Sequence, residues 1–101
     1  MLKKRFFKTK DDCEVTFEYP SSEVQEVALV SEFNGWQPLP MKKAKKAGSP
    51  FRLKIRLPKE NEFQFRYFVD QNYWVNDETA DAYMSNEFGD SNGVVKTFTE
   101  S

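Results

Sequence analysis

Histidine is absent from the chain and cysteine occurs once. Without imidazole the common zinc constellations, the Ser-His-Asp and Cys-His catalytic sets and haem ligation by histidine are all removed. Cys13 has no partner for an intramolecular disulfide, and a small domain that manages without one points to a reducing compartment, with the cytoplasm as the expected location. Long hydrophobic runs are missing too. The opening Met1-Leu2-Lys3-Lys4-Arg5-Phe6-Phe7-Lys8 returns to charge after at most two apolar residues, so neither a signal-peptide core nor a membrane span is expected. Nor does one charge dominate. Fifteen basic residues stand against sixteen acidic ones, a formal net charge of -1, which gives no sequence-wide field to hold nucleic acid or an anionic membrane. At 101 residues the chain makes one domain and cannot enclose a barrel-sized glycosidase or a doubly wound dinucleotide enzyme.

The charges that are present divide mildly: nine basic and seven acidic groups in residues 1–50, six and nine in residues 51–101. The densest basic run, Lys42-Lys43-Ala44-Lys45-Lys46, lies between Pro40 and Gly48-Ser49-Pro50 and reads as a solvated loop rather than a phosphate site. Aromatic residues are plentiful, with ten Phe, four Tyr and two Trp, enough to fill a small core. Cys13–Tyr19 and Phe51–Leu57 alternate apolar and polar residues as half-buried strands do, and Pro20 and Pro58 stop them. Val27–Val30 is a short apolar run that ends at Phe33-Asn34-Gly35-Trp36, whose Asn-Gly pair suits a tight turn. Phe63–Val69 places Phe63, Phe65, Tyr67 and Val69 inward, and its short connection to Phe51–Leu57 predicts two adjacent antiparallel strands. Gln71-Asn72 turns the chain into Tyr73-Trp74-Val75, and Val94–Phe98 closes the domain. Residues 76–92 show no period and read as a long surface loop. Together these features predict an all-β, antiparallel sandwich of the immunoglobulin-like class with about six to eight strands.

Trp36 and Trp74 sit at strand ends beside turns, outside the alternating apolar runs. Core filling is the ordinary use of tryptophan. Here, however, Asn72, Asn76 and Asp77 flank Trp74 and Gln37 follows Trp36. Flat aromatic faces ringed by amides suit sugars, because a pyranose offers an apolar C–H face for stacking and an edge of hydroxyls for hydrogen bonds.

Several segments in order carry a family resemblance: Val27–Trp36 with its Phe-Asn-Gly-Trp, Pro40-Met41, Phe65–Asp70 followed by Trp74, and Phe88–Val95 with Gly89-Asp90-Ser91-Asn92. The chain resembles the glycogen-binding module of isoamylase and branching-enzyme N-terminal domains and of the AMP-activated kinase β subunit. The resemblance covers residues 13–98, behind a basic N-terminal extension at 1–12, and implies an early-set immunoglobulin-like sandwich. In sugar-binding members two tryptophans stack on an α-glucan, a lysine contacts a hydroxyl, and an apolar residue and an asparagine complete the cradle. The resemblance assigns those roles to Trp36, Trp74, Arg66, Phe88 and Asn92. Three departures stand out. Arg66 replaces the lysine, Gln71-Asn72-Tyr73 is one residue longer than the usual turn, and Gly93 stands where a second asparagine is common.

Asp70, Asp77, Glu78 and Asp81 offer carboxylates, but a glycosidase pair needs a cleft between them and a pKa-raising pocket, and a solvated acidic face is the simpler reading. Asp77, Asp81 and Asp90 match no calcium loop, so neither a metal nor a cofactor is expected. The sequence thus leads to a non-catalytic, cytoplasmic module for α-1,4-glucans such as glycogen or maltodextrin. Its rival is a protein-interaction or regulatory module that docks on a glucan-metabolising enzyme. Exposure of the two indoles separates them.

Overall fold

The computed structural model describes residues 2–20, 23–86 and 89–98. Among these lie ten strands: β1 (Leu2–Phe6), β2 (Asp12–Tyr19), β3 (Val27–Ser31), β4 (Leu39–Pro40), β5 (Lys42–Lys43), β6 (Phe51–Pro58), β7 (Glu62–Val69), β8 (Tyr73–Val75), β9 (Ala82–Ser85) and β10 (Ser91–Lys96). They form two antiparallel sheets, one ordered β1-β2-β6-β5 and the other β4-β3-β7-β10-β9, with β8 also paired to β7. Lettering β1 to β7 as A, B, C, C′, D, E and F, and β10 as G, gives A-B-E-D against C′-C-F-G, the strand order of the immunoglobulin fold. No helix of the described residues is long and apolar enough to cross a membrane, which says nothing of strands.

The two-residue period of the strands builds the core. β2 pairs with β6 from Asp12↔Pro58 to Tyr19↔Phe51 and turns Cys13, Val15 and Phe17 inward. From the other sheet come Leu29 of β3, Phe65, Tyr67 and Val69 of β7 and Val95 of β10. Rings meet across the gap: Phe17 stands edge-on to Phe65 at 5.2 Å, and Tyr19 is tilted on Tyr67 at 5.2 Å. Such pairs contribute about 0.5–1.5 kcal/mol each beyond their burial. Cys13 is fully buried in this layer, and burial pushes its thiol up.

Four features differ from the sequence reading. β6 and β7 do not pair; they lie in opposite sheets, and the connection between them crosses the sandwich. Their apolar faces therefore look at each other across the core instead of lying side by side. The basic segment 1–12 is not an extension ahead of the module: β1 is an edge strand, in register with β2 from Leu2↔Phe17 to Phe6↔Cys13. Residues 76–92 are not one loop, since β9 lies within them and pairs with the start of β10. Ten strands stand among the described residues where about six to eight were expected: besides β1 and β9, the two-residue strands β4 and β5 are too short to leave a periodic signal.

Thr97 fixes the crossing. It is fully buried. Its hydroxyl donates to the Pro58 carbonyl at 2.7 Å and accepts from the Asn61 amide at 3.1 Å, while its backbone N–H and C=O bond to Asn61 and Glu60. Glu60 takes a left-handed φ of 60° to make the corner. Thr97→Val keeps the shape and removes the hydroxyl. It should lower stability by about 1–2 kcal/mol, seen as a lower urea midpoint with an unchanged slope.

Candidate functional site

The outer face of the second sheet is set by β7. With Phe65, Tyr67 and Val69 inward, the alternation sends Gln64, Arg66 and Phe68 outward. Phe68 lies opposite Ala28 on β3 and Trp74 on β8, and Arg66 lies opposite Val30. On the other flank Gly93 pairs with Phe65, so Asn92, one place along, takes the position beside Arg66 on the outer face. Trp74, 51% exposed, stacks on Phe68 with centroids 4.5 Å apart and planes at 30°. The Arg66 guanidinium lies 5.7 Å from the Trp74 ring. Its Nη2 donates to Asp90 Oδ2 at 2.9 Å, whereas its buried Nε has no partner among the described residues. The Ser91 amide first, and Arg66 second, hold the Asp90 carboxyl below the usual carboxylate range. Asn92 Nδ2 donates to Gln64 Oε1 at 3.0 Å, and Asn92 Oδ1 accepts from Asn86 Nδ2 at 3.3 Å. Amides are thus ordered beside a ring stacked on a second ring.

A turn delivers Trp74 to this face. Asp70 and Gln71 take φ of 52° and 55°, the paired left-handed residues of a type I′ turn, and the Asn72 N–H donates to the Val69 carbonyl at 3.0 Å. The core of the turn is Asp70-Gln71, one residue earlier than the sequence reading placed it. Asp70 tolerates that backbone and gains by it: Oδ1 accepts the N–H groups of Gln25 and Glu26 at 2.8 and 2.9 Å, tying the turn to the approach to β3.

Trp36 is held by a different device. Ser31 caps the short 3-10 turn Glu32–Asn34, Gly35 takes φ 73°, and the Trp36 N–H returns to the Ser31 carbonyl at 2.8 Å. Phe33 packs inward, edge-on to Phe63 at 6.0 Å. Trp36 stays 42% exposed at φ 66°, a backbone that costs a side-chain-bearing residue roughly 1–2 kcal/mol. Among the described residues no ring contact joins Trp36 to Trp74 or Phe68. The fold therefore brings Arg66 and Trp74 together, sets Asn92 beside them and leaves Trp36 on the neighbouring turn. Phe88 lies outside the described residues. Alternation in the sequence turns Gln64, Arg66 and Phe68 outward, but sequence reasoning did not count Phe68 and Gln64 among the site residues. The signal was present, since an apolar ring at an outward position of an alternating strand has no place in the core.

Of the carboxylates read as a solvated acidic face, Glu78 and Asp81 are exposed and Asp77 is not. Asp77 is only 4% exposed and accepts from the Tyr67 hydroxyl, the Thr79 amide and the Thr79 hydroxyl, each at 2.7 Å. Burial pushes its carboxyl up, and hydrogen bonds, those from Thr79 and Tyr67 among them, outweigh burial and hold it below the ordinary value. Burial first, then Asp77, raises the Tyr67 hydroxyl. Asp81 accepts from Lys4 Nζ at 2.5 Å and from the Lys96 amide at 2.7 Å, which joins β1 to the β9 edge. On the opposite sheet Glu18 is held low chiefly by Arg52, at 2.6 and 2.8 Å, against burial and with help from Lys3.

No family model matches the chain, and no curated protein matches it. Among solved structures, it is similar in fold to part of the enterobactin esterase from Shigella flexneri, crystallised in the presence of 2,3-di-hydroxy-N-benzoyl-serine. The TM-score is 0.72 at 10% identity, over 95% of this chain and 32% of the esterase chain. At that identity the likeness concerns the sandwich fold alone, and the chain spans about a third of the esterase's length.

The depressed carboxyls of Asp77 and Glu18 fix the sign of the pH dependence. Each stabilises the fold fully above its unfolded value, about 3.9 for Asp and 4.3 for Glu, and that contribution is lost as pH falls through the lower folded value. Asp77→Asn should therefore cost about 1–3 kcal/mol near neutrality and flatten the fall in stability on acidification. Urea unfolding followed at a series of pH values checks both.

Proposed function

We propose that the chain is a non-catalytic binding module for α-1,4-glucans, glycogen and maltodextrin among them, acting in the cytoplasm. The observation that carries this reading is the Trp74 indole, half exposed yet fixed by its stack on Phe68, with the Arg66 guanidinium near its ring and, beside Arg66, the Asn92 amide bonded to Gln64. A sugar ring placed on that indole loses water from its C–H face while its hydroxyls find donors and acceptors that are already ordered. Trp36 supplies a second exposed ring, held in a strained backbone that core filling would not require, and strain at an exposed aromatic is a mark of function. Catalysis is not part of this reading: the buried carboxylate Asp77, on the core side of β7, bonds to Tyr67 and Thr79 and is held below the ordinary value, where a general acid needs a raised pKa.

Titrating the chain with maltoheptaose, followed by tryptophan fluorescence, should give a Kd of roughly 10 μM to 1 mM, with cellohexaose much weaker. Equal affinity for the two oligosaccharides would remove the α-glucan assignment. Trp74→Ala should weaken maltoheptaose binding by about 1 kcal/mol or more and leave unfolding cooperative. Trp36→Gly should weaken binding while the unfolding midpoint holds or rises, because glycine accepts the left-handed backbone. If neither change touched affinity and both abolished cooperative unfolding, the indoles would be structural and the enzyme-docking module would take the place of the sugar site. Incubated with glycogen, the chain should release no reducing ends.

A further inference from the structure

A groove of about 530 Å³ opens on the far side of Phe68 from Trp74. Ala28, Pro40 and Phe68 line it from the outer face, Met41 and Phe51 form its buried floor, and the amides of Gln25 and Gln71 stand at its rim. Its size is that of a small-molecule cleft, with an apolar lining and a few polar groups. The register joins it to the Trp74 platform. Pro40 lies opposite Ala28, Ala28 opposite Phe68 and Phe68 opposite Trp74, so one row of outward positions crosses four strands. Three interstrand steps make that row about 14 Å long. Phe68 belongs to both ends, with one side in the groove and one against the Trp74 ring.

The chemistry of the groove selects its occupant. Among the described residues one carboxylate, Glu26, and no cation line it, which does not suit an anionic ligand. A peptide strand finds a poor edge, because β4 is two residues long and Pro40 has no N–H to give. A neutral polyhydroxyl chain fits: its apolar faces match Ala28, Pro40 and Phe68, and its hydroxyls match Gln25 and Gln71. We infer that the glucan track runs across the strands from Trp74 over Phe68 into this groove, which forms a further subsite for a chain longer than the Trp74 platform alone can hold. The inference rests on the α-glucan reading given above.

Calorimetry on the full chain with maltotriose and maltoheptaose tests it. Wild type should bind maltoheptaose at least about fivefold more tightly than maltotriose. Ala28→Arg fills the groove without touching the Trp74 ring; it should keep maltotriose affinity within about twofold and abolish the advantage of the longer chain. Should that variant fail to fold, methyl shifts of the wild type decide. Ala28 and Met41 should move with maltoheptaose and stay still with maltotriose, while the Trp74 indole moves with both. An undiminished length advantage in folded Ala28→Arg, or silent Ala28 and Met41 methyls beside a responding Trp74, overturns the groove subsite and leaves the α-glucan module standing. Absence of binding by either oligosaccharide to wild type overturns both.

Discussion

The register of β7 is the constraint on which the rest of the structure depends. Its inward residues, Phe65, Tyr67 and Val69, make the centre of the core, and its outward residues, Gln64, Arg66 and Phe68, make the platform. Because the side-chain period is two, a slip of one residue would exchange the two sets and destroy both at once. The strand is pinned accordingly. Ser31 Oγ donates to the Gln64 carbonyl at 2.7 Å, and Glu32 accepts the Gln64 amide at 2.7 Å. At its middle the Tyr67 hydroxyl reaches Asp77, and at its end Asp70 anchors the turn into β8. Each polar contact fixes the same register that the apolar residues prefer, and this agreement between levels makes the fold specific.

The platform breaks local rules that the core obeys. Two aromatic rings, Phe68 and Trp74, occupy outward positions where a solvated sheet ordinarily carries polar residues. Trp36 holds a backbone that glycine or asparagine would adopt more easily. Arg66 keeps a buried Nε without a partner among the described residues. Burial in the core explains none of these, and they gather at one end of one sheet and on the turn that follows β3. The other sheet shows the ordinary pattern: its outer face interleaves Lys3, Arg5, Arg52, Lys54 and Arg56 with Glu14, Thr16 and Glu18, and its edges carry charge that discourages pairing with another chain.

Much of the fold was legible in the sequence because alternation is a local property. β2, β6 and β7 announce themselves, and the immunoglobulin-like sandwich follows from their number and spacing. What alternation cannot tell is whether two consecutive strands lie side by side or face each other, so β6 and β7 read as a hairpin. The decision rests on Thr97, some forty residues from the crossing it fixes. β1 was hidden for a different reason. Lys4 lies opposite Val15 on the side of the inward-facing residues and reaches Asp81 with its ammonium, which spoils the period that would have marked Leu2–Phe6 as a strand. Asp77 looked like one more acid in a polar stretch, and its burial depends on Tyr67, ten residues earlier on another strand.

At the site the legible part was the pair of tryptophans, because turns and flanking amides are local signals. Phe68 was harder to see, since its meaning depends on what lies opposite it on both sides: Ala28 on β3 and Trp74 on β8. That placement also explains the electrostatics of the face. Arg66 is its cation, and Asp90 already accepts from it, so the guanidinium is a positioned donor beside the indole rather than a centre that draws charge. On the proposed reading that donor meets a sugar hydroxyl while the indole takes the apolar ring face, so recognition comes from shape and uncharged hydroxyls rather than from charge.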